Sequence, residues 1–161
     1  MIRRIVEQTV KQVEHAGKPE GAAAGGSVTL QQAKELAAQI ERKAAEMGFP
    51  AVIAVVDRAA RPVVIHCMDD AYIASFDIAL NKAYTSAGLK MSTAELGRLS
   101  APGQPLYGIQ NTNGGRIVIF GGGETLEQDG RIVGALGVSG GTLEQDTALA
   151  AYGKEAFEEI G

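Results

Sequence analysis

Ser139 lies in Gly137-Val138-Ser139-Gly140-Gly141, a G-x-S-x-G run between a strand pattern and a helix pattern, the setting of a serine nucleophile. The hydrolase order places a histidine after the serine, yet His15 and His66 both precede it, and the flanking strands read as antiparallel. Serine hydrolysis is therefore disfavoured. An anion suits the segment better, because glycine permits close backbone approach and the amides opening the next helix, around Ser139, Gly140, Gly141 and Thr142, attract negative charge. A tight turn without a ligand accounts for the same residues equally well.

Other side chains offer different chemistry. Asp57 and Asp69 follow strand patterns, and a carboxylate in a partly dry pocket can serve as a general base. Asp77, Asn81 and Thr85 recur every four residues with Lys82 beside them, which makes either a solvated helix face or a pocket wall. His66-Cys67-Met68 sets three soft ligand types side by side, which would suit iron or copper. Neighbouring strand residues point to opposite faces, so His66 and Cys67 cannot easily share a metal. With 2 histidines and 1 cysteine, and no ligand motif, no protein-made metal site is expected. Gly121-Gly122-Gly123 is not followed by a helix pattern and no Walker-type lysine occurs, so neither nucleotide motif is supported.

The elements that must position these residues follow from patterning. Thr29 and Gln32 form a capping box for a helix through Met47, stopped by Gly48. Residues 51–57 and 62–67 read as a hairpin, residues 71–87 as a helix stopped by Gly88, and Ser92 with Glu95 as the start of a short helix. Arg116–Phe120 reads as a strand. Asp129-Gly130 is a hairpin turn signal before a strand over 132–138, and Thr142 with Gln145 caps a helix to about Ile160. Thr-Leu-Glu-Gln-Asp occurs at 125–129 and again at 142–146, too closely spaced for a solenoid unit. The order of elements gives an α+β domain, an antiparallel sheet with helices on its faces.

Composition removes several function classes. A chain of 161 residues fits one domain, and its charge of −4 argues against nucleic-acid binding and polybasic membrane attachment. One cysteine permits no internal disulfide. No apolar run approaches the roughly 20 residues of a membrane span, and the first residues lack a secretory pattern, so a cytoplasmic protein is expected. Residues 1–15 place Ile2, Ile5, Val6, Val10 and Val13 on one helical face, and residues 16–27 read as a Gly/Ala/Pro tether to a domain over 28–161. A tethered amphipathic helix must dock, either on its own domain or oligomer or on a partner.

The ordered set Ala54-Val55-Val56-Asp57, Met68-Asp69-Asp70-Ala71, Asp77–Thr85, Pro102-Gly103, Gly121–Gly123 and Asp129–Gly141 resembles the GlcG/HbpS-like family, which includes the carboxy-terminal domain of PduO-type cobalamin adenosyltransferases. The resemblance implies a three-layer α/β/α sandwich on an antiparallel sheet of about five strands, a homo-oligomer, and, in several members, haem binding. Where the family often has an arginine and later a glycine, this chain has Cys67 and Asp70, which removes a cation that could pair with a ligand carboxylate. The tail resembles encapsulation peptides that bring enzymes to bacterial microcompartment shells.

These readings together suggest a haem- or tetrapyrrole-binding accessory protein, cargo of a microcompartment tied to diol or glycolate catabolism. Acidic groups of the ligand would meet the 139–142 amides, with Lys82 or Arg131 as cations and His66 or Thr85 as axial candidates. Two alternatives stand beside it. One is an enzyme acting on a small hydroxy- or oxo-acid, with Asp57 or Asp69 as base. The other is a non-catalytic oligomeric assembly module.

Overall fold

The computed structural model describes residues 26–161. Helix α1 (Leu30–Met47) opens on the predicted reciprocal cap: the Thr29 hydroxyl accepts the Gln32 amide, and the Gln32 side chain accepts the Thr29 amide. Strands β1 (Val52–Asp57) and β2 (Pro62–Cys67) form the expected hairpin. Helix α2 (Ser75–Leu89) starts later than the pattern suggests, because the Ala71 and Ser75 amides are taken by Met68 and Tyr72 carbonyls in tight turns. It also runs past Gly88, and Lys90 takes the left-handed cap at φ 57. A helical glycine costs only about 1 kcal/mol, too little to stop a helix whose neighbour Ala87 is packed.

Helix α3 (Thr93–Leu99) is capped by Ser92, and two 3₁₀ turns follow at Ile109–Asn111 and Asn113–Gly115. Strands β3 (Gly123–Gln128) and β4 (Arg131–Ser139) meet at Asp129-Gly130, both at positive φ (51° and 71°) as the turn signal requires. Helix α4 (Leu143–Ile160) opens on the Thr142–Gln145 capping box.

The strand expected over Arg116–Phe120 does not form. The Val118 amide donates to the Thr85 hydroxyl at 3.0 Å, and Ile117 is buried, so this segment runs alongside α2 with no strand pairing. Its β-branched residues serve packing instead. The sheet accordingly has four strands, in the order β2-β1-β4-β3 with every neighbour antiparallel, one fewer than expected.

Three layers result. The central strand β1 is buried along its whole length, with Ile53 and Val55 facing α1 and α4, and Val52, Ala54 and Val56 facing α2. The α2 side is built from small residues: Ala79 and Ala83 lie so close to β4 that a side chain at Gly137 would collide with the helix backbone. This contact fixes where α2 sits over the sheet, and therefore where Lys82 and Ser75 point. Among the described residues no helix is long and apolar enough to cross a membrane.

Candidate functional site

The junction from β4 to α4 holds Gly140 at φ 153, packed against Pro50 so tightly that a Cβ would meet the Pro50 carbonyl. Beside it opens a pocket of about 320 Å³. Tyr72, Ile78, Phe120 and Leu143 give it apolar walls, and Ser75, Ser139 and Asp146 supply its polar members. Ser139 donates to Ser75 at 3.1 Å. A neighbouring hollow of about 460 Å³ shares Tyr72, Gly140 and Gly141, so the two form one continuous depression over the junction.

Under this depression α2 and α4 are joined by an ion pair. Lys82 is 0% exposed, and its ammonium donates to Asp146 Oδ2 at 3.0 Å and to the Val138 carbonyl at 2.9 Å. Its remaining side faces the Phe120 ring, 5.0 Å from the centroid. Burial pushes the Lys82 amine below its ordinary range, while the charge of Asp146 and its hydrogen bond pull the other way. A buried pair repays its desolvation only when its remaining hydrogen-bonding positions are filled. Here they are: Asp146 Oδ1 accepts the Gly141 amide at 2.9 Å.

That arrangement changes what the junction can offer an anion. The Gly141 amide is committed to Asp146 and the Thr142 amide to the Gln145 side chain. A ligand acid arriving there meets these two donors already paired, beside the carboxylate of Asp146.

The other candidate residues are dispersed. Ser139, Gly140, Gly141 and Thr142 line the depression, and Lys82 lies beneath it. Thr85 is buried further along α2, its hydroxyl donating to the Asn81 carbonyl and accepting from Val118. Asp77 is exposed in the first turn of α2, and Asp69 is exposed in the turn after β2. Asp57 closes the β1–β2 turn: it accepts the Ala59 and Arg61 amides and the Arg61 guanidinium. Burial alone would raise its pKa, but these hydrogen bonds and the Arg61 charge hold it below the ordinary value, the opposite of what a base near neutral pH needs. Arg131 lies at the far end of β4, and His66 on β2 pairs through Nδ1 with Glu41 of α1 at 2.9 Å. The docking face Ile2, Ile5, Val6, Val10 and Val13 lies outside the described residues.

The pattern on α2 is also redistributed. Its buried residues include Lys82, Thr85 and Ser86 from the polar repeat and its neighbours, whereas the apolar Phe76 is 42% exposed. Among the described residues no three His, Cys, Asp or Glu side chains converge as a metal site.

With this geometry in view, comparison with known proteins is decisive on ancestry. A family described as haem degrading protein HbpS-like matches residues 28–155. The chain belongs to the HbpS-like family. A 15.0 kDa protein from the dhaT-dhaS intergenic region of Citrobacter freundii is 46% identical over 134 residues, 83% of this chain and 94% of that protein. The corrinoid adenosyltransferase PduO of Citrobacter freundii is 33% identical over 150 residues, covering 93% of this chain but 44% of PduO. The chain thus spans less than half of that enzyme. A solved PduOC:heme complex superposes with a TM-score of 0.77 at 34% identity, covering 81% of this chain and 94% of that one.

Within this HbpS-like chain, the pocket residues not named as sequence candidates include Tyr72, Ser75, Ile78, Phe120, Leu143 and Asp146. Asp146 reads in sequence as an ordinary acidic residue in a helix first turn. Tyr72 reads as part of a helix over 71–87 and Phe120 as the end of a strand over Arg116–Phe120, so neither stands out as a pocket wall.

Proposed function

We propose that this chain is a haem- or tetrapyrrole-binding accessory protein that receives the macrocycle in the depression beside Tyr72 and Phe120. The observation that carries the reading is an open, aromatic-walled pocket above a fully paired Lys82–Asp146 bridge, in a chain similar to one solved as a heme complex. The residues fit such a group in kind. Tyr72, Ile78, Phe120 and Leu143 present apolar surface to a flat ring, and the depression continues past Gly140 and Gly141 far enough to accept one lying partly exposed. Tyr72 brings a phenol, an oxygen ligand type used by haem iron. Haem, when bound, would supply its iron's redox and ligand-exchange chemistry. The chain's own contribution would be to hold and shield it, and the Lys82 ammonium, already bonded to Asp146 and Val138, would not be its cationic partner.

Titrating the full chain with hemin tests this. A saturable Soret shift that changes position on Tyr72→Phe supports it. A shift that is lost on His66→Ala and untouched by Tyr72→Phe would move the site to β2, and no shift removes the haem reading. The small-acid enzyme is less well served, since Asp57 is tied into a turn and Asp69 is exposed on another.

A second reading, an assembly module working through a homo-oligomer, is favoured by the rim of the depression. Ile73 is 97% exposed there, beside the exposed Tyr72 and Phe76. We further propose that residues 1–15 dock on a microcompartment shell in the cytoplasm, supported by their amphipathic pattern. Residues 1–27 fused to a fluorescent protein should form puncta in cells making shells; diffuse signal refutes the docking.

A further inference from the structure

β4 connects two different places. Ser139 at its end belongs to the depression, whereas Arg131 at its start lines a separate cleft of about 520 Å³ with Arg58, Ala87, Lys90, Gly130 and Ile132. At ~3.3 Å per residue, the strand sets the two roughly 26 Å apart.

The cleft gathers cations from three turns that are distant in sequence. Arg58 comes from the β1–β2 turn, Lys90 from the cap of α2, and Arg131 from the β3–β4 hairpin. The whole chain carries −4, yet among the described residues no acidic side chain lines this cleft. Lys90 and Arg131 are exposed, and among the described residues neither has a carboxylate partner. The nearby Arg61, by contrast, is neutralised by Asp57 at 2.9 Å. Lys90 and Arg131, two exposed cations facing one concavity, favour an anion there whatever Arg58 contributes. A hollow of this size matches small-molecule sites, and Ala87 and Ile132 give it some apolar lining.

We infer that this cleft is a second ligand site, for a small polyanion carrying two or more phosphate or carboxylate groups. The Arg131 guanidinium can grip one oxyanion through two parallel N–H bonds, while the Lys90 ammonium, a point charge, meets a second. The class of ligand is set by charge, and nothing in it depends on the aromatic depression at the other end of the sheet.

Calorimetric titration of the full chain with pyrophosphate and with citrate, at constant ionic strength with chloride as the balancing ion, tests the assignment. One saturable site is expected. Tighter pyrophosphate assigns phosphate as the natural group, and tighter citrate assigns carboxylate. Arg131→Gln and Lys90→Gln should each weaken binding about tenfold or more, while melting temperature and the hemin response stay as in the parent. Absence of saturable heat with either anion overturns the inference. So does binding that tracks ionic strength alone or survives both substitutions.

Discussion

At the scale of single residues, Lys82 is the side chain on which the site depends. It is fully buried, and its partner Asp146 also fixes the Gly141 amide. Lys82→Met keeps most of the volume but strands the Asp146 carboxylate and the Val138 carbonyl, so a loss of about 3–5 kcal/mol is expected in urea denaturation. The double substitution Lys82→Met with Asp146→Leu should cost clearly less than the sum of the two singles; strict additivity would mean that the pair is not coupled. Glu124 gives a pH prediction of opposite character. Burial raises its pKa above 4.5, Lys154 partly opposes this, and Glu95 adds to it. The folded chain therefore holds that proton more tightly than the unfolded chain, and stability falls as pH rises through the folded-state value. Glu124→Gln should stabilise by up to about 1 kcal/mol at pH 7 and show no gain below the unfolded value, because both states are then neutral. A gain that persisted in acid would contradict the burial argument. Glu124 carries no sequence signal, and Lys82 reads there as a cation open to a ligand, not as a buried partner of Asp146. Lys82 sits next to what reads as a polar stripe, and its burial is decided by Val138 and Asp146, which are remote in sequence.

At the scale of elements, much was readable because local chemistry and tertiary structure agree. The Thr29–Gln32 and Thr142–Gln145 boxes open α1 and α4, and Asp129-Gly130 makes the hairpin. The misread elements are those where a distant group wins. Arg116–Phe120 has strand composition, but Thr85 claims the Val118 amide, and no partner strand is available. Thr-Leu-Glu-Gln-Asp is strand and turn at 125–129, yet cap and first helical turn at 142–146, so five residues of identical chemistry do not decide their own structure. The two glycines of α2 and its partner strand show the same contest between local and tertiary effects. Gly137 lies against the α2 backbone, and Gly137→Ala should cost about 3 kcal/mol or more by forcing the helix off the sheet. Gly88, inside α2 with nothing within 4 Å of an added Cβ, should behave oppositely, with Gly88→Ala gaining about 0.5–1 kcal/mol. Thermal melts of the two variants check both signs, and a destabilised Gly88→Ala would mean that the helix needs its glycine for another reason.

At the scale of the whole molecule, the depression and the exposed apolar rim cannot be independent. Tyr72, Phe120 and Leu143 line the one and belong to the other, with Ile73 and Phe76 alongside. A second copy covering the rim would either complete the wall around a ligand or compete with it, and linkage requires the effect to run both ways by the same factor. Ile73 separates the two events, because it is almost wholly exposed yet does not line the pocket. Ile73→Asp puts a charge into any apolar interface while touching no ligand contact, so it should move the mass measured by sedimentation towards monomer. Hemin affinity should shift along with it, and adding hemin to the parent should move its sedimentation distribution in the corresponding direction. If Ile73→Asp disperses the assembly but leaves the hemin titration unchanged, one chain is sufficient for the ligand. If it alters neither, the rim is not where copies meet, and its exposed side chains serve the ligand alone.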